Sequence, residues 1–140
     1  MDAAIEDAGL DALLSHWTDN AQQTKKAFHH LKDHLVRKPA LDFELVARPG
    51  VSYSLRAKHQ RQNRRPLFAM IDIIDDDPSQ RWLSVCFYGE MISDPDELGD
   101  FVPKGLLGED AHCFDIEAWD DVLIPYIIAR LDEAYGKAAR

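Results

Sequence analysis

Two neighbouring segments near the middle of the chain, 67–74 and 81–89, carry apolar side chains at both odd and even positions. In the first, Leu67, Ala69, Ile71 and Ile73 alternate with Phe68, Met70, Asp72 and Ile74. In the second, Leu83, Val85 and Phe87 alternate with Trp82, Ser84, Cys86 and Tyr88. Successive side chains of a strand point to opposite faces, so a sheet covered on one side only should alternate apolar with polar. These two strands therefore need cover on both faces, or they present an aromatic patch of Phe68, Met70, Trp82 and Tyr88 to a partner. The turn-forming run Asp75-Asp76-Asp77-Pro78-Ser79-Gln80 makes them sequence neighbours in one sheet.

The segments around them assign themselves by period. Residues 42–48 and 51–58 alternate in strand fashion on either side of Pro49-Gly50, a hairpin with one wet face. Upstream, Leu10, Leu14, Trp17, Ala21, Thr24, Phe28, Leu31 and Leu35 follow at steps of three and four, which predicts one long helix ended by Pro39. Thr18-Asp19-Asn20 favours caps over helix interiors and marks a place where it would break. Downstream, Trp119, Val122, Leu123, Tyr126, Ile127, Leu131, Ala134 and Tyr135 trace a second helical stripe, with Pro125 as its kink or its first turn. Residues 90–111 read as a long connection with a helical turn at 96–101, followed by a short fifth strand at 112–116.

This order predicts a single α+β domain over 1–140: a long N-terminal helix, a four- to five-stranded antiparallel meander, and a C-terminal helix on the same sheet face as the first. That face should bear Leu83, Val85, Phe87, Ile71 and Ile73. With 46% apolar and 29% charged residues the chain has the composition of a folded globular domain. No apolar run reaches the ~20 residues of a membrane span, and neither end carries a sorting or lipidation pattern, so the expectation is a cytoplasmic protein without membrane contact.

Charge is segregated. Residues 1–24 hold five acids and no Lys or Arg, 25–65 hold eleven bases against three acids, and 66–140 hold five bases against seventeen acids. Within the basic third, Arg48, Arg56, Lys58, Arg61, Arg64 and Arg65 occur with no acid among them, and Arg56 and Lys58 should share a face with Phe68, Trp82 and Tyr88. Cations beside aromatics suit single-stranded nucleic acid, a small anion, or the acidic half of a second copy. The plainer alternative is a solvated loop whose arginines meet Asp75, Asp76 and Asp77. The net charge of −9 disfavours a polyanion.

Chemical motifs are sparse. His30 and His34 have the spacing of a helical metal pair but lack a third ligand, so no metal or cofactor is expected. The acid clusters Asp72 and 75–77, and Asp94, Asp96, Glu97 and Asp100, do not match a calcium loop. Asp72, inside a strand, is expected to pair with Arg56 or Lys58. The stretch 103–110 lacks the order of a phosphate loop and reads as a structural turn, and Ser52, Ser54 and Ser84 have no nucleophile context. Cys86 and Cys113 allow one disulfide, although Cys86 in an apolar run reads as a buried thiol.

Two stretches carry a resemblance: the hairpin 51–56 followed by Leu67-Phe68-Ala69, and the ending with Asp94-Pro95, Gly105, Phe114-Asp115 and Leu131-Asp132-Glu133-Ala134-Tyr135. Together they resemble a small bacterial α+β domain of unknown function found attached to restriction-type nucleases and predicted transport proteins. The resemblance implies strands before helix and no site residue. The functional expectation is a binding or interaction module, leaning away from catalysis, that forms a homodimer through Phe68, Met70, Trp82 and Tyr88. A nucleic-acid-binding accessory role for 48–65 and a ligand pocket under 90–111 are the alternatives.

Overall fold

A computed structural model describes residues 7–140. Among them are three α-helices, α1 (Ala8–His16), α2 (Thr24–Val36) and α3 (Leu123–Ala138). Six strands, β1 (Leu41–Arg48), β2 (Ser52–His59), β3 (Ala69–Ile74), β4 (Trp82–Tyr88), β5 (Asp100–Leu106) and β6 (Glu109–Ile116), form one antiparallel sheet in the order β1-β2-β3-β4-β6-β5.

The expected single N-terminal helix is two helices, parted where Thr18-Asp19-Asn20 sits. The Asp19 carboxylate accepts from the backbone N–H groups of Lys25 (3.2 Å) and Lys26 (3.3 Å), so it serves the first turn of α2 instead of continuing α1. Asp7 caps α1 through Gly9 and Leu10. The apolar stripe survives the break, because Leu10, Trp17, Thr24, Phe28, Leu31 and Leu35 are all buried, while Ala21 at the break is exposed. Asp120 accepts from the N–H groups of Val122 and Leu123 at 2.8 Å, so α3 starts there and Pro125 falls in its first turn, where a missing N–H is harmless.

The central meander matches the sequence reading, with Pro49-Gly50 turning β1 into β2 and Gly50 at φ +85°. The segment 90–111 differs. Its expected helical turn at 96–101 is absent, and β5 begins at Asp100. The stretch read as a structural turn is a two-residue hairpin turn, Leu107-Gly108, with both φ values positive and Leu106 opposite Glu109. Pro103 and a register shift between Val102 and Leu106 hid β5, and both are tolerated because β5 is an edge strand. The expected fifth strand begins earlier, at Glu109.

Helices cover one face. Ile71, Ile73, Leu83, Val85 and Phe87 lie there, fully buried. Phe114, the register partner of Val85, meets the Tyr126 ring of α3 at 5.9 Å, and α2 is tied to α3 through Asp132, which accepts from His34 (2.7 Å) and Lys38 (2.6 Å). Each buried leucine or isoleucine of this layer contributes roughly 2 kcal/mol.

On the opposite face the expected aromatic patch does not form. Phe68 lies just ahead of β3, outside its pleat, and packs edge-on against Tyr135 of α3 at 6.0 Å. Tyr88 is buried beneath the Arg65 guanidinium, 4.6 Å from the ring centre. Met70 is buried beside the β5–β6 turn, and only Trp82 is half-buried, at the far end of the strand near Gln22 and Glu117. The second layer is thus intramolecular: Arg65 and the returning β5–β6 hairpin supply it. Cys86 and Cys113 stand opposite one another in the β4–β6 register, with Cα atoms 4.2 Å apart, and are joined as a disulfide. This corrects the buried-thiol expectation; the pairing of the two strands was needed to bring them together.

Candidate ligand-binding cleft

The β2–β3–β4–β6 register places Ser54, Asp72, Ser84 and Asp115 side by side on the face away from the helices. Along the neighbouring strands, Arg48 pairs with Ser52, and Arg56 pairs with Met70, on the same face. Of these, Arg48, Ser52, Ser54, Arg56, Met70 and Asp72 border a cleft of about 170 Å³ whose remaining wall is Val46 of β1 with Gly105 and Leu107 at the β5–β6 turn. Arg56 Nε donates to Ser54 Oγ at 3.4 Å. Among the described residues neither Arg48 nor Arg56 forms an ion pair with a carboxylate.

Asp72 does not pair with Arg56 or Lys58 as expected. Lys58 reaches Glu44 instead, at 3.2 Å, across the β1–β2 pair. Asp72 Oδ1 is buried without a hydrogen-bond partner. Burial pushes its carboxyl above the usual range, and Ser54, Arg56 and Arg48 offset this only in part.

The basic tract is therefore divided among separate places. Arg65 is committed to Glu109 (3.0 Å), to Glu90 and to the Tyr88 ring. Arg64 and the other side of Arg65 line an open pocket of about 270 Å³ with Glu90, Lys137 and Arg140, and Arg61 is exposed on the loop. The arginines do not meet the 75–77 acids either. Asp75 is buried with Arg81 (2.7 Å) and also accepts from Gly50 N (2.8 Å), which locks the β1–β2 turn to the start of β4.

A second cleft of about 560 Å³ opens between Arg65, Tyr88, Phe101, Lys104 and His112. It borders the 90–111 segment, where sequence reading placed a pocket. Beside it, Asp94 accepts from Tyr126 Oη, His112 Nε2 (2.7 Å), Gly99 N (2.9 Å) and Leu98 N (3.0 Å). Burial opposes ionisation, but the bonds from Tyr126, Gly99, His112 and Leu98 outweigh it and hold the Asp94 carboxyl well below the usual range. An ionised carboxylate only accepts, so His112 Nε2 is the donor in this bond. A Cβ on Gly99 would stand 2.8 Å from both the His112 and Phe114 rings, so glycine leaves room for this bond. No local pattern pointed to this knot, since Asp94, His112 and Tyr126 lie on three different elements. Its evident role is to fasten the loop to β6 and α3.

The histidines considered for metal diverge: His30 lies against the Trp119 ring and His34 bonds Asp132. Among the described residues no group of three or more His, Cys, Asp or Glu is arranged to hold a metal ion, and no helix is long and apolar enough to cross a membrane. No protein-family model matches this chain, and neither a curated protein nor a solved structure matches it.

Proposed function

We propose that the protein is a binding module for a small anion, held on the helix-free sheet face between Arg48 and Arg56. One observation carries the reading: two guanidinium groups on adjacent strands border one cleft and have no carboxylate partner among the described residues. Guanidinium forks suit carboxylate and phosphate. A small ligand is favoured over a nucleic acid because a polymer needs a continuous cationic track. Here Lys58 and Arg65 are neutralised by acids, and Arg61 and Arg64 lie elsewhere. The test is calorimetry and thermal unfolding with inorganic phosphate, acetate and a single-stranded oligonucleotide. Phosphate or acetate should raise the unfolding midpoint, and Arg56→Gln should weaken binding at least tenfold. No response to either anion at millimolar concentration would refute the reading, and tighter oligonucleotide binding would replace it.

A second reading concerns protein contact. Phe101 is 62% exposed, and Leu107, Leu98 and Val102 are exposed along the same edge. A strip of this kind favours association through β5 in place of the patch expected from sequence. Light scattering would report a dimer that Phe101→Ser dissociates; a monomer of 15.9 kDa at high micromolar concentration would remove the idea.

A further inference from the structure

We infer that a second copy of this chain docks along the outer edge of β1, strand against strand and antiparallel, to make one continuous sheet across a two-fold axis. This contact does not rest on the anion reading. The first support is the contrast between the two edges of the sheet. At β5 the edge backbone is broken: Pro103 has no N–H, Lys104 takes φ +54°, and the register shifts between Val102 and Leu106. Such features keep an edge from recruiting another strand. β1 has none of them, and its 8 residues pair with β2 without a shift. Gln60 N donates to Ala40 O at 2.9 Å, so the even-numbered positions turn their backbone groups toward β2. Leu41, Phe43, Leu45 and Ala47 therefore turn theirs outward, where no group among the described residues bonds them. An open, regular edge of this kind takes up a further strand through its main-chain groups.

The second support is charge. On the helix-free face β1 presents Asp42, Glu44, Val46 and Arg48 in that order. Pairing about Leu45 sets Asp42 opposite Arg48 of the second copy, twice by symmetry, and Glu44 opposite Val46. Pairing about Phe43 would set Asp42 against Glu44, and pairing about Glu44 would set two like carboxylates face to face. Pairing about Val46 sets Glu44 opposite Arg48, but Lys58 already holds Glu44 at 3.2 Å, and Phe43 then meets Pro49, which has no N–H. The Leu45 register forms about six backbone hydrogen bonds. It also gives an ion-pair partner to Asp42, whose carboxylate otherwise takes a 3.4 Å bond from Gln60 Nε2. A guanidinium carries its donors in a fork, so Arg48 meets Asp42 with one edge and the cleft with the other. The third support is cover. Phe43 and Leu45, on the helix side, are only half-buried, and Ala47 is exposed. The same register lays Leu45 against its copy and Phe43 against Ala47.

The test is light scattering on the full chain, in phosphate-free buffer, across the micromolar range. A dimer of twice 15.9 kDa should form. Asp42→Arg and Arg48→Asp should each weaken it by about tenfold or more. The double variant carrying both should return to within about threefold of wild type, because the pair re-forms with its signs exchanged. Thermal unfolding checks that each variant is folded, and Phe101→Ser should leave this dimer unchanged. Failure of the double variant to restore the dimer would overturn the inference. So would a dimer that Phe101→Ser dissociates and the β1 variants do not, which would assign the contact to β5. A monomer at high micromolar concentration would overturn both contacts, while phosphate calorimetry decides the anion reading separately.

Discussion

Asp94→Asn tests the knot that holds 90–99 against β6 and α3. The wild-type carboxylate takes four hydrogen bonds, from Tyr126, His112, Gly99 and Leu98, and its side chain is 9% exposed. Hydrogen bonds to a charged group are worth about 1.5–3 kcal/mol each, and the lower end applies near the rim of a domain. Asparagine keeps one acceptor oxygen and turns an NH₂ toward two of the donors, so about two bonds are lost. The expected cost is about 3 kcal/mol at pH 7, or roughly 10 °C in Tm for a chain of this length. The pH dependence follows from the depressed carboxyl. A free aspartate titrates near ~3.9, so the stabilisation is complete above about pH 5 and is lost as pH falls through the lower folded value. The gap between wild type and variant should therefore narrow by about 1 kcal/mol at pH 3. Urea unfolding followed by tryptophan fluorescence reads both quantities. A gap below about 0.5 kcal/mol at pH 7, or one that is unchanged or wider at pH 3, would refute the account.

Two further perturbations probe the frame. The Cys86–Cys113 bond closes a loop with a sequence separation of 27, so reduction should cost about 3.5 kcal/mol by the chain-entropy argument. Alkylation of the denatured, unreduced protein should modify neither cysteine; two modified cysteines would mean that the bond does not form. Asp75→Ala strands the Arg81 guanidinium and the Gly50 N–H, so it should destabilise by about 3 kcal/mol in urea. An Arg81→Leu background that leaves this cost unchanged would show that the pair is not its source.

Elements with local, periodic signals were legible in the amino-acid order. The β1–β2 hairpin, the paired central strands, the apolar stripe of the N-terminal third and the C-terminal helix all follow from side-chain spacing. So does the requirement for cover on both faces of β3 and β4. Less was legible where the signal is long-range. Thr18-Asp19-Asn20 marked a break, but only the fold sets Asp19 beneath the amides of Lys25 and Lys26. β5 was missed because Pro103 and its irregular register erase strand alternation, and an edge strand needs only one partner to exist.

The candidate cleft shows the same division. Arg48 and Arg56 could be singled out by composition, and the face of Arg56 by alternation. That they border one cleft with Asp72 depended on how three strands align. That Arg65 is instead spent on Glu90 and Glu109 depended on partners 25 and 44 positions away. By itself, the amino-acid order determined which segments pleat or coil and which faces must leave water, because those choices depend on neighbours within a few residues. Tertiary structure alone decided what covers each face, which cysteines and charges meet, and which charges are left for a ligand, because strand register and helix docking bring together groups that share no local pattern.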